Sequence, residues 1–197
     1  MFSKERALVI TKKNKGEDLY ICLLGEESGI FWCVAKHARK SKRRFLNILE
    51  PPSLIQAYLR KSKFSQNIII EKAELENLFE EIKNSLLKIL IAWFSLELTR
   101  AVSFSKDTFE VLLNFLLKIS KEDEYDLKKE YEKIIYKFGQ EVLEKEGFIV
   151  SGKNGSQNSA NLKFIEKTLE EIYGRKLKLF SILDLIKKVA TEDDEIK

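Results

Sequence analysis

The hydrophobic pattern of this chain changes period once, and that change limits what the chain can fold into. Up to about residue 72, apolar residues come in short runs or alternate with polar ones, and the runs are rich in Val, Ile and aromatic residues. That is the signature of strands. From Leu75 onward, apolar residues recur at steps of three and four, the spacing of one helix face. The chain therefore reads as α+β, with strands over 1–72 and a helical domain over 73–197.

The strand signals sit at hairpin spacing. Arg6–Thr11 is the first run, and Asn14–Lys15–Gly16 is a turn signal. Leu19–Leu24, Ile30–Ala35, Ser53–Arg60 and Asn67–Lys72 follow, and a loop with glycine at each end (Gly25 and Gly29) precedes the third. Within Ser53–Arg60, residues Ile55, Ala57 and Leu59 share one face, and Leu54, Gln56, Tyr58 and Arg60 share the other. Five short strands in about 70 residues predict a small antiparallel barrel of the OB-fold type.

The helical part divides at polar or glycine-containing stops. A first helix spans Leu78, Phe79, Ile82, Leu86, Ile89, Leu90 and Trp93 and continues to about Ala101. Ser105 or Asp107 can cap a second helix, which carries Phe109, Leu112, Leu113, Leu116 and Leu117. A third runs from about Asp126 to Lys145 and ends at Gly147. Ser151–Asn161 has no apolar anchor and reads as a flexible loop. Leu162–Tyr173, stopped by Gly174, and Ile182–Ala190, opened by Ser181 and Asp184 at capping-box spacing, complete the set. The acidic end TEDDEIK reads as frayed.

Charge is distributed as unevenly as the period. Residues 1–70 hold 14 Lys and Arg against 6 Asp and Glu, whereas 71–197 hold 21 against 25. A basic first third suggests contact with a polyanion. The N-terminal residues lack the apolar core of a signal peptide, and the apolar stretch Leu86–Leu98 is too short to span a bilayer. The expectation is a cytoplasmic protein, associated with the nucleoid if its polyanion is DNA. Cys22 and Cys33 lie in apolar runs and read as small buried hydrophobes. The carboxylate pairs Glu80–Glu81, Glu122–Asp123 and Asp193–Asp194 read as solvated. Neither a P-loop nor a GxGxxG motif is present, and His37 is the single histidine. The chain is accordingly read as non-enzymatic, with no catalytic residues, metal or cofactor.

The densest cluster of charge is Lys36, Arg39, Lys40, Lys42, Arg43 and Arg44, six cations in nine residues. Lys and Arg that neutralise phosphates release counterions and bind nucleic acid independently of sequence. Arg60, Lys61 and Lys63 extend this track, and His37 lies inside it. Binding of single strands calls for an aromatic platform beside such a groove. Phe31 and Trp32 are adjacent on a strand and point to opposite faces, so one of them should face outward. Taken alone, a strand aromatic such as Trp32 or Tyr58 is somewhat more often a core residue.

In the same residues the chain resembles the RecO family of bacterial recombination mediators. The marks run in order: Ala7–Leu–Val9, Gly16–Glu17–Asp18, Leu23–Leu24, Glu27–Ser28–Gly29, Val34–Ala–Lys–His–Ala–Arg–Lys40, Phe45 and Leu49–Glu50–Pro51. More loosely, Tyr131–Phe148 is similar to a family helix ending in Leu-x-x-x-Gly, and Gly174–Ser181 to the family's closing basic stretch. Two departures stand out. His37 occupies the place of a family glycine, and the Ser151–Asn161 segment stands where many members carry two CxxC pairs, so no zinc knuckle is expected here.

The resemblance implies a protein that binds single- and double-stranded DNA, anneals complementary strands and helps load recombinase onto strands coated by single-strand binding protein. It also implies two protein partners: the ring-forming RecR, and the acidic C-terminal tail of single-strand binding protein. Arg100, Arg175, Lys176 and Lys178 are candidates for meeting that tail's carboxylates. Two rival readings are an RNA-binding OB-fold module, which the same basic loop would suit, and a protein-interaction scaffold that acts through its helices.

Overall fold

The computed structural model describes residues 2–38, 40, 45, 47–62, 67–149, 162–175, 177 and 179–191. The expected site residues Arg39, Lys42, Arg43, Arg44, Lys63, Lys176 and Lys178, the segment Ser151–Asn161 and the acidic end beyond Thr191 lie outside the described residues.

Five strands close into a barrel in the order β1-β2-β3-β5-β4. They are β1 (Phe2–Lys15), β2 (Asp18–Gly25), β3 (Gly29–Ala35), β4 (Ser53–Lys61) and β5 (Ile68–Asn77). Neighbours pair antiparallel except β3 with β5, which closes the barrel in parallel. Alternation puts Ala7, Val9, Ile21, Leu23, Cys33, Ile55, Ala57 and Ile70 in one buried cluster inside the barrel. The expected OB-like barrel followed by helices is present. Two of its strands exceed the expected limits: β1 extends to both sides of 6–11, and β5 runs on to Asn77. Lys, Asn and Glu dominate those extensions, so apolar content gave no sign of them, and backbone pairing to β2 and β4 holds them in the sheet.

Cys33 faces the barrel interior, where burial pushes its thiol up to about 12. Cys22 pairs in register with Trp32 and so lies on the opposite face of the sheet. Both cysteines are buried, and they are not joined by a disulfide.

A carboxylate anchors one end of the barrel. Glu5, only 9% exposed, accepts hydrogen bonds from the backbone N–H groups of Glu27 (2.9 Å) and Ser28 (3.2 Å) and from the Ser28 hydroxyl (3.0 Å). Gly25 makes room for it, because a Cβ there would lie 2.4 Å from Glu5 Oε1. The chain forms two compact units, and residues 103–110 belong with the barrel. Within that unit Lys106 pairs with Glu27 at 2.8 Å, and the Arg6 guanidinium lies over the Phe109 ring at 5.8 Å.

The second unit contains α1 (Glu80–Lys83), α2 (Leu86–Val102), most of α3 (Thr108–Lys121), α4 (Glu124–Lys145), α5 (Leu162–Tyr173) and α6 (Phe180–Thr191). The expected first helix is therefore two. Ser85 breaks it, and its hydroxyl accepts from the Lys88 N–H at 3.3 Å, as an N-cap does. The break shifts the helical phase. Leu87, Ile91, Phe94 and Leu98 enter the core, while Leu86 and Trp93, expected on the apolar stripe, stand exposed. α4 starts two residues before the expected Asp126, capped by Asp123, which accepts from the Tyr125 N–H at 2.8 Å. α6 starts at Phe180, so Ser181 lies inside the helix and does not open it. α5 has the expected limits, and Gly174 after it takes a positive φ of 64°. Phe115 stacks on Phe138 between α3 and α4, ring centres 4.3 Å apart.

Candidate nucleic-acid interface

Strand alternation determines which aromatic ring the barrel presents. Phe31 points inward and packs against the interior cluster. Trp32 points outward and is 40% exposed, so it is not the core residue that a strand tryptophan more often is. Two residues that sequence reasoning passed over stand beside it on the outer face. Lys13 holds its ammonium 5.4 Å from the centre of the Trp32 ring, and Lys15 lies 5.3 Å from the centre of Tyr20. Lys13 is in register with Tyr20, and Tyr20 with Val34. The outer face of β1, β2 and β3 thus carries two aromatic rings and two lysines that make no ion pair with a described residue. The missed signal was alternation itself, because Lys13, Tyr20 and Trp32 share one face once β1 is extended past Thr11.

The basic segment begins where this face ends. Lys36 is exposed and pairs with no described residue. His37 has φ 52°, the left-handed region in which glycine is most at ease. Two contacts hold it there. Its backbone N–H donates to Asp18 Oδ1 at 2.8 Å, and its ring Nδ1 lies 3.1 Å from Glu17 Oε2. The other oxygen of Glu17 accepts from the Lys40 ammonium. Lys40 first and His37 second hold the Glu17 carboxyl below the usual carboxylate range. The hairpin turn after β1 therefore clasps two residues of the basic segment with one carboxylate.

Arg60 and Lys61 differ from each other. The Arg60 guanidinium lies 2.8 Å and 2.6 Å from Glu71 through two of its nitrogens, so its charge is already met within the sheet. Lys61 is exposed and pairs with no described residue. Tyr58 is on the outer face too, not in the core. Its hydroxyl donates to Glu74 at 2.8 Å, and Lys4 and Lys72 approach its ring.

In the helical unit, Arg100 bonds to Glu97 on its own helix, and Arg175 is exposed. Neither lines the groove found between α3 and α4. That groove, about 230 Å³, is lined by Val111, Phe115, Ile134 and Phe138 with Lys118 and Lys137 among its polar residues. Among the described residues no three His, Cys, Asp or Glu side chains come together as metal ligands, and no helix is long and apolar enough to cross a membrane.

No family model matches the chain. The chain is 31% identical over 110 residues to the DNA repair protein RecO of Syntrophus aciditrophicus (strain SB), an overlap of 54% of this chain and 42% of that protein. The chain thus spans less than half the length of the curated relative it matches, and the match supports the RecO family as the one this chain resembles.

Proposed function

We propose that this chain is a non-catalytic DNA-binding protein of DNA repair and recombination. Its barrel takes up single strands on the outer face of β1, β2 and β3. The observation that carries the reading is the pairing of exposed Trp32 and half-buried Tyr20 with Lys13 and Lys15, on a face that leads into the segment from Lys36 to Arg44. Bases stack on the rings, and lysines and arginines neutralise phosphates. Two strands neutralised in this way repel each other less, which is the physical basis for annealing them. The relative's name, a DNA repair protein, fits this reading.

Assistance in loading recombinase belongs to the same proposal, as do RecR and the tail of single-strand binding protein as partners. The α3–α4 groove supports the latter, because its apolar residues with Lys118 and Lys137 suit an aromatic residue beside a carboxylate, provided the carboxylate seats away from Glu141 on the same lining.

The test is anisotropy of a labelled single-stranded DNA across a salt series. The intact protein is compared with a variant in which Lys36, Arg39, Lys40, Lys42, Arg43 and Arg44 are neutralised. The expected result is salt-dependent binding whose log–log slope becomes shallower by several units in the variant, at ~0.7 per lost contact. Absence of salt-dependent binding by the intact protein would overturn the reading in favour of a scaffold acting through its helices. Tighter binding of single-stranded RNA in direct competition would favour an RNA module.

A further inference from the structure

Next to Tyr20 the outer face holds a hollow of about 220 Å³ of which phosphate neutralisation uses only Lys36. Val34 and Ile69, in register across β3 and β5, lie beneath it but are nearly inaccessible to solvent, so its open lining is mainly polar. Tyr20 forms one wall. The rim is polar: Asp18, Lys36, Ser62 and Asn67. A polar hollow beside an aromatic ring suits the polar edge of a base whose face lies on Tyr20.

We propose that this hollow is a base-reading subsite which favours bases carrying an exocyclic amine, with Asp18 as the acceptor that discriminates. The inference rests on the strand-binding reading above and adds base preference to it. Asp18 Oδ1 accepts the His37 backbone N–H at 2.8 Å, which fixes the orientation of the carboxylate, and Oδ2 accepts from no described residue. An ionised carboxylate can only accept. The N4 amine of cytosine donates to it, whereas thymine presents O4, an acceptor, at the same place on the ring and has only its N3–H, one atom further along the edge, to offer a carboxylate. The Ser62 hydroxyl and Asn67 amide can each donate or accept, so neither separates the two bases by sign. The Ser62 N–H donates to the Asn67 carbonyl at 2.9 Å and holds that side of the rim. Exposed Lys36 is placed to meet the phosphate of the seated nucleotide.

The experiment compares labelled oligo(dC) and oligo(dT) of equal length at neutral pH, by anisotropy, on the whole chain and on Asp18→Asn. The unaltered protein should bind oligo(dC) roughly ten- to a hundredfold more tightly, the worth of about one hydrogen bond to a charged group. In Asp18→Asn the ratio should fall to near one or reverse, because an amide can donate to O4, while the salt slope stays the same. The asparagine keeps an acceptor for the His37 N–H. An oligomer of N4,N4-dimethylcytosine, offered to the unaltered protein, should bind like oligo(dT), which tests the amine without changing the protein. Equal affinity for oligo(dC) and oligo(dT), or a preference unchanged by Asp18→Asn or by dimethylation, overturns the subsite and leaves strand binding standing. Failure of both oligomers to bind overturns the strand-binding reading and the subsite with it.

Discussion

Trp32 on β3 and Tyr58 on β4 both stand on the outside of the barrel, and both have lysines over their rings: Lys13 at 5.4 Å for Trp32, Lys4 at 5.7 Å and Lys72 at 5.2 Å for Tyr58. They differ in what else is near. Around Tyr58 three of the cations, Lys72, Arg60 and Arg6, are already matched, and Lys4 lies within the field of Glu74. Lys72 bonds to Glu74 at 2.5 Å, which raises the lysine's pKa and lowers the glutamate's. Arg60 bonds to Glu71, and Arg6 holds Glu76 and Glu26. Around Trp32, Lys13 and Lys15 make no ion pair with a described residue. An aromatic ring under a lysine is thus not by itself a platform for a polyanion. The lysine must also be free to meet a phosphate, and β5, with three glutamates at 71, 74 and 76, removes that freedom on the Tyr58 side.

The sharpest way to break this comparison is to remove the rings. Trp32→Ala should weaken single-stranded DNA binding about tenfold, in line with ~1–3 kcal/mol per stacked base. Tyr58→Ala should change it less than about twofold, since its lysine and hydroxyl answer to Glu74. Equal losses in an anisotropy titration would erase the distinction between the faces. Next come the lysines. Lys13→Gln with Lys15→Gln should make the log–log salt slope shallower by about 1.4, at ~0.7 per contact, and Lys72→Gln should leave it unchanged.

The smallest effect should run the other way. Glu17→Gln frees Lys40 and His37, so affinity should rise about twofold at low salt, where a single released charge counts most. The sign follows from the lowered pKa of Glu17: its carboxylate stays ionised at neutral pH and competes with phosphate there. The advantage of the variant should shrink as pH falls through that lowered pKa, because protonation of Glu17 then frees the same cations in the unaltered protein.

Legibility in the sequence tracked how local each signal was. The core strands, α5 and the glycine stops after α4 and α5 could be read because period and stop residue lie within a few positions. The split between α1 and α2 was masked because Ser85 interrupts a run in which leucine or isoleucine is available at almost any phase, so the stripe could be drawn through Leu86 and Trp93. At the interface, the basic segment was legible as a charge run and the outward turn of one of Phe31 and Trp32 as alternation. Lys13, Lys15 and Tyr20 were not, because their membership in the face depends on where β1 ends and on its register with β2. The glutamate partners of Arg60 and Lys40 are 11 and 23 positions away from them. Such pairings are made by the sheet and the turn and have no local mark.

The inclusion of residues 103–110 in the barrel unit has a consequence for synthesis. A chain made from its N-terminus has all five strands once Asn77 is out, but Phe109, which meets Arg6, and Lys106, which meets Glu27, are made about thirty residues later. The barrel cannot complete its own contacts until α2 has been translated. A nascent chain stalled between the two points has every strand but lacks the partners of Arg6 and Glu27 at Phe109 and Lys106.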